Sequence, residues 1–326
     1  MRRRALWRCG LSLGLWLFGC RPVDLSALHD AATPSGGAVD LAKVPAVEDG
    51  PPLVGDLRAV TFNTHLFFDL VCDSGRCGPT DFEQVPSAQA FSDKADAVAK
   101  ALRRMNGDVV ALQEIENQNA LDAVAGRLRD VYPTVVLGET GLPASIDVAV
   151  LSRGSLLSVR RYHDRVLTRP DGTKTTFSRE LLEVHVSLRG RELVMFSAHF
   201  RSKSSDDPGR RLAEAQATAD IIQQTAKEFP DAVIVLGGDL NDTPGSPPLA
   251  ALEGVPGLLR VAKDRPLSSA ATYSWNGDLQ AIDHLFLWQS ARVDYVAGSA
   301  NAQHDATRFG LAGSDHAALL ADFALH

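Results

Sequence analysis

The sequence predicts an α/β (α+β) fold: a four-layer α/β/β/α sandwich of two mixed β-sheets, face to face, with helices on the outer faces. Three observations predict it. Apolar runs of strand length recur in an early and a late block, segments of helical apolar spacing separate them, and hairpin-type turns punctuate a strand-rich middle. Those layers need one domain of about 270 residues, 56–326, rather than two.

The chain has 326 residues, 45% hydrophobic and 22% charged, as in an ordinary globular protein. Its formal charge of -7, from 33 basic and 40 acidic residues, argues against a protein that coats nucleic acid over its whole surface. A local basic cleft stays open.

Residues 1–19 stand apart from the fold. Arg2, Arg3 and Arg4 precede an apolar run at 11–19, too short to span a bilayer and suited to the core of a signal peptide. Leu17-Phe18-Gly19-Cys20 resembles the lipobox of bacterial lipoproteins, although Phe18 is bulkier than the usual middle residue. That resemblance implies cleavage after Gly19, lipidation of Cys20, and an exported protein anchored on the bacterial envelope. The alternatives are an ordinary cleaved signal and an uncleaved anchor. Cleavage removes Arg2, Arg3, Arg4 and Arg8, taking the formal charge from -7 to -11. Residues 20–55, with TPSGG and VPAVEDGPP, read as a flexible tether.

From residue 57 the elements follow in order. RAVTFN (58–63) reads as a strand, and 64–86 as irregular. Within the latter, Cys72 and Cys77 flank four residues including Gly75, a loop that a disulfide closes in an oxidising compartment. A metal pair is the alternative, but no second pair with zinc spacing accompanies it. Phe91, Ala95, Val98, Leu102 and Met105 mark a helix over 87–106, stopped by Asn106-Gly107. DVVALQE (108–114) is a buried strand, and Leu121, Val124 and Leu128 mark a second helix. Strands are expected at 134–138, 146–152, 179–188 and 192–200, with turns at Gly172 and Gly190. A third helix spans 208–228 and leads into the strand AVIVLG, and strands at 282–288 and 316–323 close the chain.

Polar residues recur where these strands stop. Asn63 and His65 end the first, Glu114 the next, and His199 a third. Asp239 and Asn241 follow VIVLGG, Asp283 opens IDHLFL, and Asp315-His316 precede the last strand. Strand ends hold such groups rigid yet exposed. Each has a bland reading: Asp239-x-Asn241 as an Asx turn, His199 as a core histidine, Asp283 as turn chemistry, Asp315 as a cap. Jointly, in this order, TFNTH, ALQEIEN, SAHFRSK, GGDLND, AIDHLF and GSDHAAL resemble the endonuclease/exonuclease/phosphatase superfamily, with the deoxyribonuclease-I-like fold, across residues 61–319.

The resemblance implies a metal-dependent phosphoric ester hydrolase. Glu114 would be the main Mg²⁺ ligand, with Asn63 beside it and Asp315 on the metal side; Mn²⁺ and Ca²⁺ are the other hard cations such a site admits. His316, oriented by Asp283, would be the general base or part of a phosphate clamp. Asp239 would align the attacking water, while Asn241 and His199 donate to phosphoryl oxygens. His65 stands where one nuclease branch carries a carboxylate, which favours a single metal.

Substrate class is less determined. SAHFRSKSSDD with Arg210, Arg211 and Gln216 resembles a segment of secreted bacterial nucleases, so Arg201, Lys203 and Arg210 are expected on flanking phosphates. Trp275, Asp147 and Arg153 are further cleft candidates. Arg153, Arg160, Arg161, Arg165, Arg169, Lys174 and Arg179 form either a basic edge or solvated strand-face charge. The first expectation is a nuclease with nucleic acid as substrate and no obligate protein partner. The second is a phosphomonoesterase or lipid phosphodiesterase, and the third a catalytically dead binding lipoprotein.

Overall fold

The computed structural model describes residues 52–326. The expected signal segment, Cys20 and the tether up to residue 51 lie outside the described residues. In chain order come β1 (Leu57–Phe67), α1 (Ala88–Met105), β2 (Val109–Ile115), α2 (Gln118–Ala125), β3 (Thr134–Gly138), β4 (Asp147–Ser152) and β5 (Ser155–Arg161). Then follow β6 (Leu167–Thr168), β7 (Lys174–Thr175), β8 (Leu182–Leu188), β9 (Arg191–His199), α3 (Pro208–Glu228), β10 (Val233–Asp239) and α4 (Pro247–Glu253). The chain ends with β11 (Leu258–Arg260), α5 (Leu267–Ala270), β12 (Tyr273–Trp275), β13 (Asp278–Gln280), β14 (Asp283–Trp288), β15 (Val293–Tyr295), β16 (Asn301–Gln303) and β17 (Ala318–Leu325).

One sheet runs β15-β17-β1-β2-β4-β3, with β16 also on β17, and the other runs β11-β14-β10-β9-β8-β5. Each is mixed for the same reason. β1 and β2 are parallel because α1 carries the chain back between them, and β9 and β10 are parallel because α3 does so. The remaining neighbours are antiparallel.

Alternation along the strands builds three apolar layers. Ala59, Ala111, Met195, Val235 and Leu285 meet between the sheets. Val60, Phe62 and Leu112 pack outward against Leu102 of α1 and Leu121 of α2. Phe196 and Phe286 pack outward against Ile222 of α3 and Leu249 of α4. The expected sandwich, helix on sheet on sheet on helix, is the fold observed.

α1 starts where Ser87 accepts the Ala90 N–H at 3.1 Å and stops where Asn106 turns left-handed at φ 55°. α2 ends at Ala125, short of Leu128, which reaches the same core from the following turn. The sheets approach so closely that a Cβ on Gly237 would lie 2.9 Å from Met195 Cε and 3.2 Å from Ala111 Cβ. On Gly238 it would lie 2.3 Å from the Ala198 carbonyl oxygen. The glycine pair ahead of Asp239 is therefore a packing requirement. Residues 52–55, at the end of the expected tether, are tied to the domain: Val54 N–H donates to Asp322 Oδ2 and Arg58 Nη2 to the Pro52 carbonyl, both at 2.9 Å.

The segment between β1 and α1 is closed by a Cys72–Cys77 disulfide, with Cα atoms 6.1 Å apart. Buried carboxylates organise it. Glu83 accepts the N–H groups of Asp73 and Ser74 at 2.6 and 2.8 Å, and Glu116 accepts that of Asp69 at 2.6 Å. Glu116 is 1% exposed and its Oε1 has no hydrogen-bond partner. Burial, aided by the charges of Asp69, Asp73 and Glu83, pushes its carboxyl from 4.5 up to about 7. Between those values the native state holds a proton that the unfolded chain has released, so stability falls as pH rises through the window. Glu116→Gln is expected to remove that fall, stabilising the protein by on the order of 2 kcal/mol at pH 8 and little at pH 4. Urea unfolding at the two pH values measures it; equal effects at both would refute the assignment.

Candidate active site

Both parallel strand pairs end at the same edge of the sandwich. β1 brings Asn63 there, β2 Glu114, β9 His199 and β10 Asp239. Asp239 is in register with His199 on one side and Asp283 on the other, so three polar side chains form a row. β17 runs antiparallel to β1, which delivers the preceding residues 314–316 to that edge. Ser314 fastens them: its Oγ donates to the Asn63 carbonyl at 2.8 Å and accepts the His316 N–H at 2.9 Å. Beneath lies a polar layer of Thr61, Gln113 and Ser197, linked at 3.3 and 3.4 Å, that caps the apolar interior.

Glu114 reaches the site through a backbone irregularity. Strict alternation after Leu112 and Gln113 would turn Glu114 toward the helices. Instead its φ is 62°, and the ladder from β2 to β4 shifts register between Gln113 and Ile115. His65 and Leu66, at φ 55° and 44°, break β1 at the facing position. Bulges of this kind re-aim a side chain at a sheet edge. Glu114 Oε2 accepts the Leu66 N–H at 2.7 Å, and Oε1 accepts from Asn63 Nδ2 at 3.0 Å. The same amide donates to Asp239 Oδ2 at 3.0 Å, while Asn63 Oδ1 accepts the His65 N–H at 2.9 Å. As placed, Asn63 orients the two carboxylates and spends its own oxygen on the bulge.

His316 Nδ1 lies 2.8 Å from Asp283 Oδ2, the orienting contact expected, and its Nε2 is 4.0 Å from both Asp239 Oδ2 and Asp315 Oδ1. Tyr273 lies against the imidazole, ring centroids 4.9 Å apart. Burial pulls the His316 pKa down, but Asp283, then Asp239 and Asp315, reverse this and hold the imidazolium protonated well above its usual range. Asp239 moves up through burial and the charge of Asp283. His199, with Nε2 3.6 Å from Asp239 Oδ2, is held neutral by burial and by the charges of Arg179 and His316. Asn241 sits past the strand at φ 53°, donating its N–H to Asp239 Oδ1 at 2.9 Å and its Nδ2 to the Phe200 carbonyl at 3.1 Å. An Asx turn thus coexists with a place in the site. Asp315 stands at the rim, 2.9 Å from His65 Nδ1.

Of the phosphate-contact candidates, Lys203 lies beside the site, its amine 2.9 Å from Asp242 Oδ1, and Arg201 follows Phe200, its N–H held by Glu214 Oε2 at 2.7 Å. Arg210 instead spends Nε and Nη2 on the carbonyls of Thr176 and Phe177, at 3.0 and 2.9 Å, tying the approach to β8 onto α3. Trp275 is 54% exposed on the β12–β13 hairpin, on the same strand face as Tyr273. Two expectations need correction. β4 runs antiparallel to β2, so Arg153 lies at the opposite edge, 2.6 Å from Asn106 Oδ1. Asp147 is buried and holds Thr140 and Ser145 at 2.7–3.2 Å. The basic edge also divides. Arg160 pairs with Glu228, Arg169 with Asp207, and Arg161 donates to the Leu137 carbonyl. Arg179 enters the site, its Nη1 donating to the Phe200 carbonyl at 3.1 Å and its charge acting on Glu114 and Asp239. Sequence reasoning misplaced Arg179 and missed Ser314 and Tyr273, whose roles depend on contacts far along the chain.

Glu114, His199 and Asp239 each bring a ligand atom within 4.8 Å of the others. Two carboxylates, one pushed up by burial and by the charge of Asp283, and a neutral imidazole fit a divalent cation, whose charge would favour the ionised carboxylates. Asp239, Asp283 and His316 are equally close, but a protonated His316 suits them to proton handling.

A model of the endonuclease/exonuclease/phosphatase family matches residues 60–316. The chain belongs to that family. Members of the endonuclease/exonuclease/phosphatase family are metal-dependent phosphoric ester hydrolases, and this chain is one. Among solved structures, truncated TDP2 of Caenorhabditis elegans is similar at a TM-score of 0.59 and 16% identity, covering 83% of this chain and 97% of that one. The human Nocturnin catalytic domain with bound sulfate gives 0.58 and 14%, over 83% and 94%. D. rerio TDP2 complexed with single strand DNA product gives 0.53 and 17%, over 82% and 98%. At such identities the likeness is one of fold. A comparison with curated proteins finds no match.

Proposed function

We propose that the protein is an exported, Mg²⁺-dependent endonuclease of low sequence preference, held on the envelope by lipid at Cys20. The observation that carries the chemistry is the Asp283–His316 pair at 2.8 Å, facing Asp239 with Glu114 alongside. Glu114 would hold the cation, with Asp239 and His199 in the same reach. Mg²⁺ supplies Lewis-acid charge at the phosphoryl oxygens when bound. Asp239 accepts from and aligns the attacking water. His316, protonated through Asp283, donates to a phosphoryl oxygen as negative charge gathers, which favours the clamp over the resting base. Neutral His199, Asn241 and Arg179 supply further donors.

Nucleic acid is favoured as substrate by Lys203 and Arg201 beside the site and by exposed Trp275, an aromatic face on which a base can stack. The single strand DNA product held by D. rerio TDP2 agrees with this reading. One observation favours a second reading, lipid phosphodiesterase. On the disulfide segment Leu70, Val71 and Phe82 are 47, 53 and 58% exposed, an apolar surface that suits a lipid interface.

Supercoiled plasmid treated with residues 21–326 and Mg²⁺ is expected to nick, and nicking is expected to stop with chelator and in His316→Ala. Intact plasmid, with phosphocholine released from sphingomyelin vesicles, would overturn the nuclease in favour of the second reading.

A further inference from the structure

Beside the catalytic centre runs a groove between α1 and residues 305–313. It holds about 480 Å³ and is lined by Lys94, Lys100, Arg104 and Arg308 against Asp93 and Asp305. Its cations are not a sample of the average surface, because the chain as a whole carries a formal charge of -7. Helical geometry makes the row. Positions 94, 97, 101 and 104 share one face of α1, and at 1.5 Å per residue Lys94 and Arg104 stand about 15 Å apart along the axis.

The inner end of the row touches the active site. Lys94 donates to the carbonyls of His65 and Leu66, and its charge acts on Glu114 and Asp315. Across the groove, Arg308 is 56% exposed on its side chain and lies 3.4 Å from Asp305. The groove therefore starts at the His65–Leu66 bulge that holds Glu114 and runs between two walls that both carry cations.

We propose that this groove receives the backbone of a single-stranded nucleic acid leaving the catalytic centre, its cations meeting successive phosphates. The inference rests on the nuclease reading. A linear row of cations suits a repeating anion, and narrow positive grooves track single strands. A phospholipid would offer one headgroup charge to such a row.

The test is fluorescence anisotropy of a labelled strand of about 12 nucleotides, in chelator to prevent hydrolysis, between about 50 and 200 mM salt. Lys100→Ala/Arg308→Ala is expected to weaken binding about tenfold and to lower the slope of log affinity against log salt by about 1.4. Lys227→Ala, which removes a charge from the last turn of α3, is the control and is expected to change neither. Equal losses in both proteins, or none in the double variant, would overturn the groove. So would a double variant that keeps oligonucleotide binding but loses binding to phosphatidylglycerol vesicles. The two readings separate cleanly. A wild type that binds the strand through these residues yet never cuts it with metal supports the groove and refutes the nuclease. Cutting with unchanged binding in the double variant does the reverse.

Discussion

His316→Ala is expected to lower kcat for phosphodiester cleavage by about 10²–10⁴-fold, with KM changed far less. The imidazole is buried at the floor of the site, 2.8 Å from Asp283 and 4.0 Å from Asp239, so its charge is fixed where a phosphoryl group would gain charge. A contact made chiefly in the transition state lowers kcat and kcat/KM together. Asp283→Asn keeps a hydrogen-bonding partner for the ring but removes the carboxylate that holds the proton. Its loss is expected to be smaller, about 10–100-fold. The two act as a unit, so the double variant is expected to fall little below His316→Ala alone. Steady-state kinetics on one nucleic-acid substrate measures all three. A His316→Ala enzyme within threefold of wild-type kcat would remove this residue from the chemistry.

The second large effect concerns stability. Asp322→Ala is expected to cost about 3–5 kcal/mol. Arg58 is 1% exposed at the start of β1 and places its charge against Asp322 of β17, with Nε–Oδ1 at 2.6 Å and Nη2–Oδ2 at 2.9 Å. The same guanidinium donates to the Met105 carbonyl at 3.0 Å, at the end of α1, and Asp322 also holds the Val54 N–H. Removing the carboxylate takes the Asp322 charge away from a buried cation, the costly way to break such a pair. Arg58→Met/Asp322→Leu removes both charges and is expected to cost less than the single change. Urea unfolding of the three proteins decides it; a loss below about 1 kcal/mol for Asp322→Ala would show that the charge is reached by water.

Much of this was legible in the sequence because the signals are local. VTFN, VVALQE, VMFSAH and VIVLGG are apolar runs that end in a polar side chain, and the structure brings all four ends to one edge. The helix over 208–228 is found with those bounds because its spacing and the preceding Asp207 cap are local too. β5 was not legible. SLLSVRR exposes most of its residues on an edge strand, so no burial alternation marks it, and it shows only through pairing with β8. The β12–β13 hairpin is equally short and polar, and its meaning lies in Tyr273 covering His316.

By itself the sequence determined the sandwich and the polar residues that end its strands, because periodicity and strand ends are properties of neighbours along the chain. The roles proposed for those residues came from the family resemblance of their motifs. Tertiary structure alone decided their aim. It turned Glu114 inward through a left-handed backbone, drew Arg179 from an expected surface edge into the site and took Arg153 to the far edge. Those outcomes depend on strand direction and register, set by packing between residues tens to hundreds of positions apart, which no local pattern encodes.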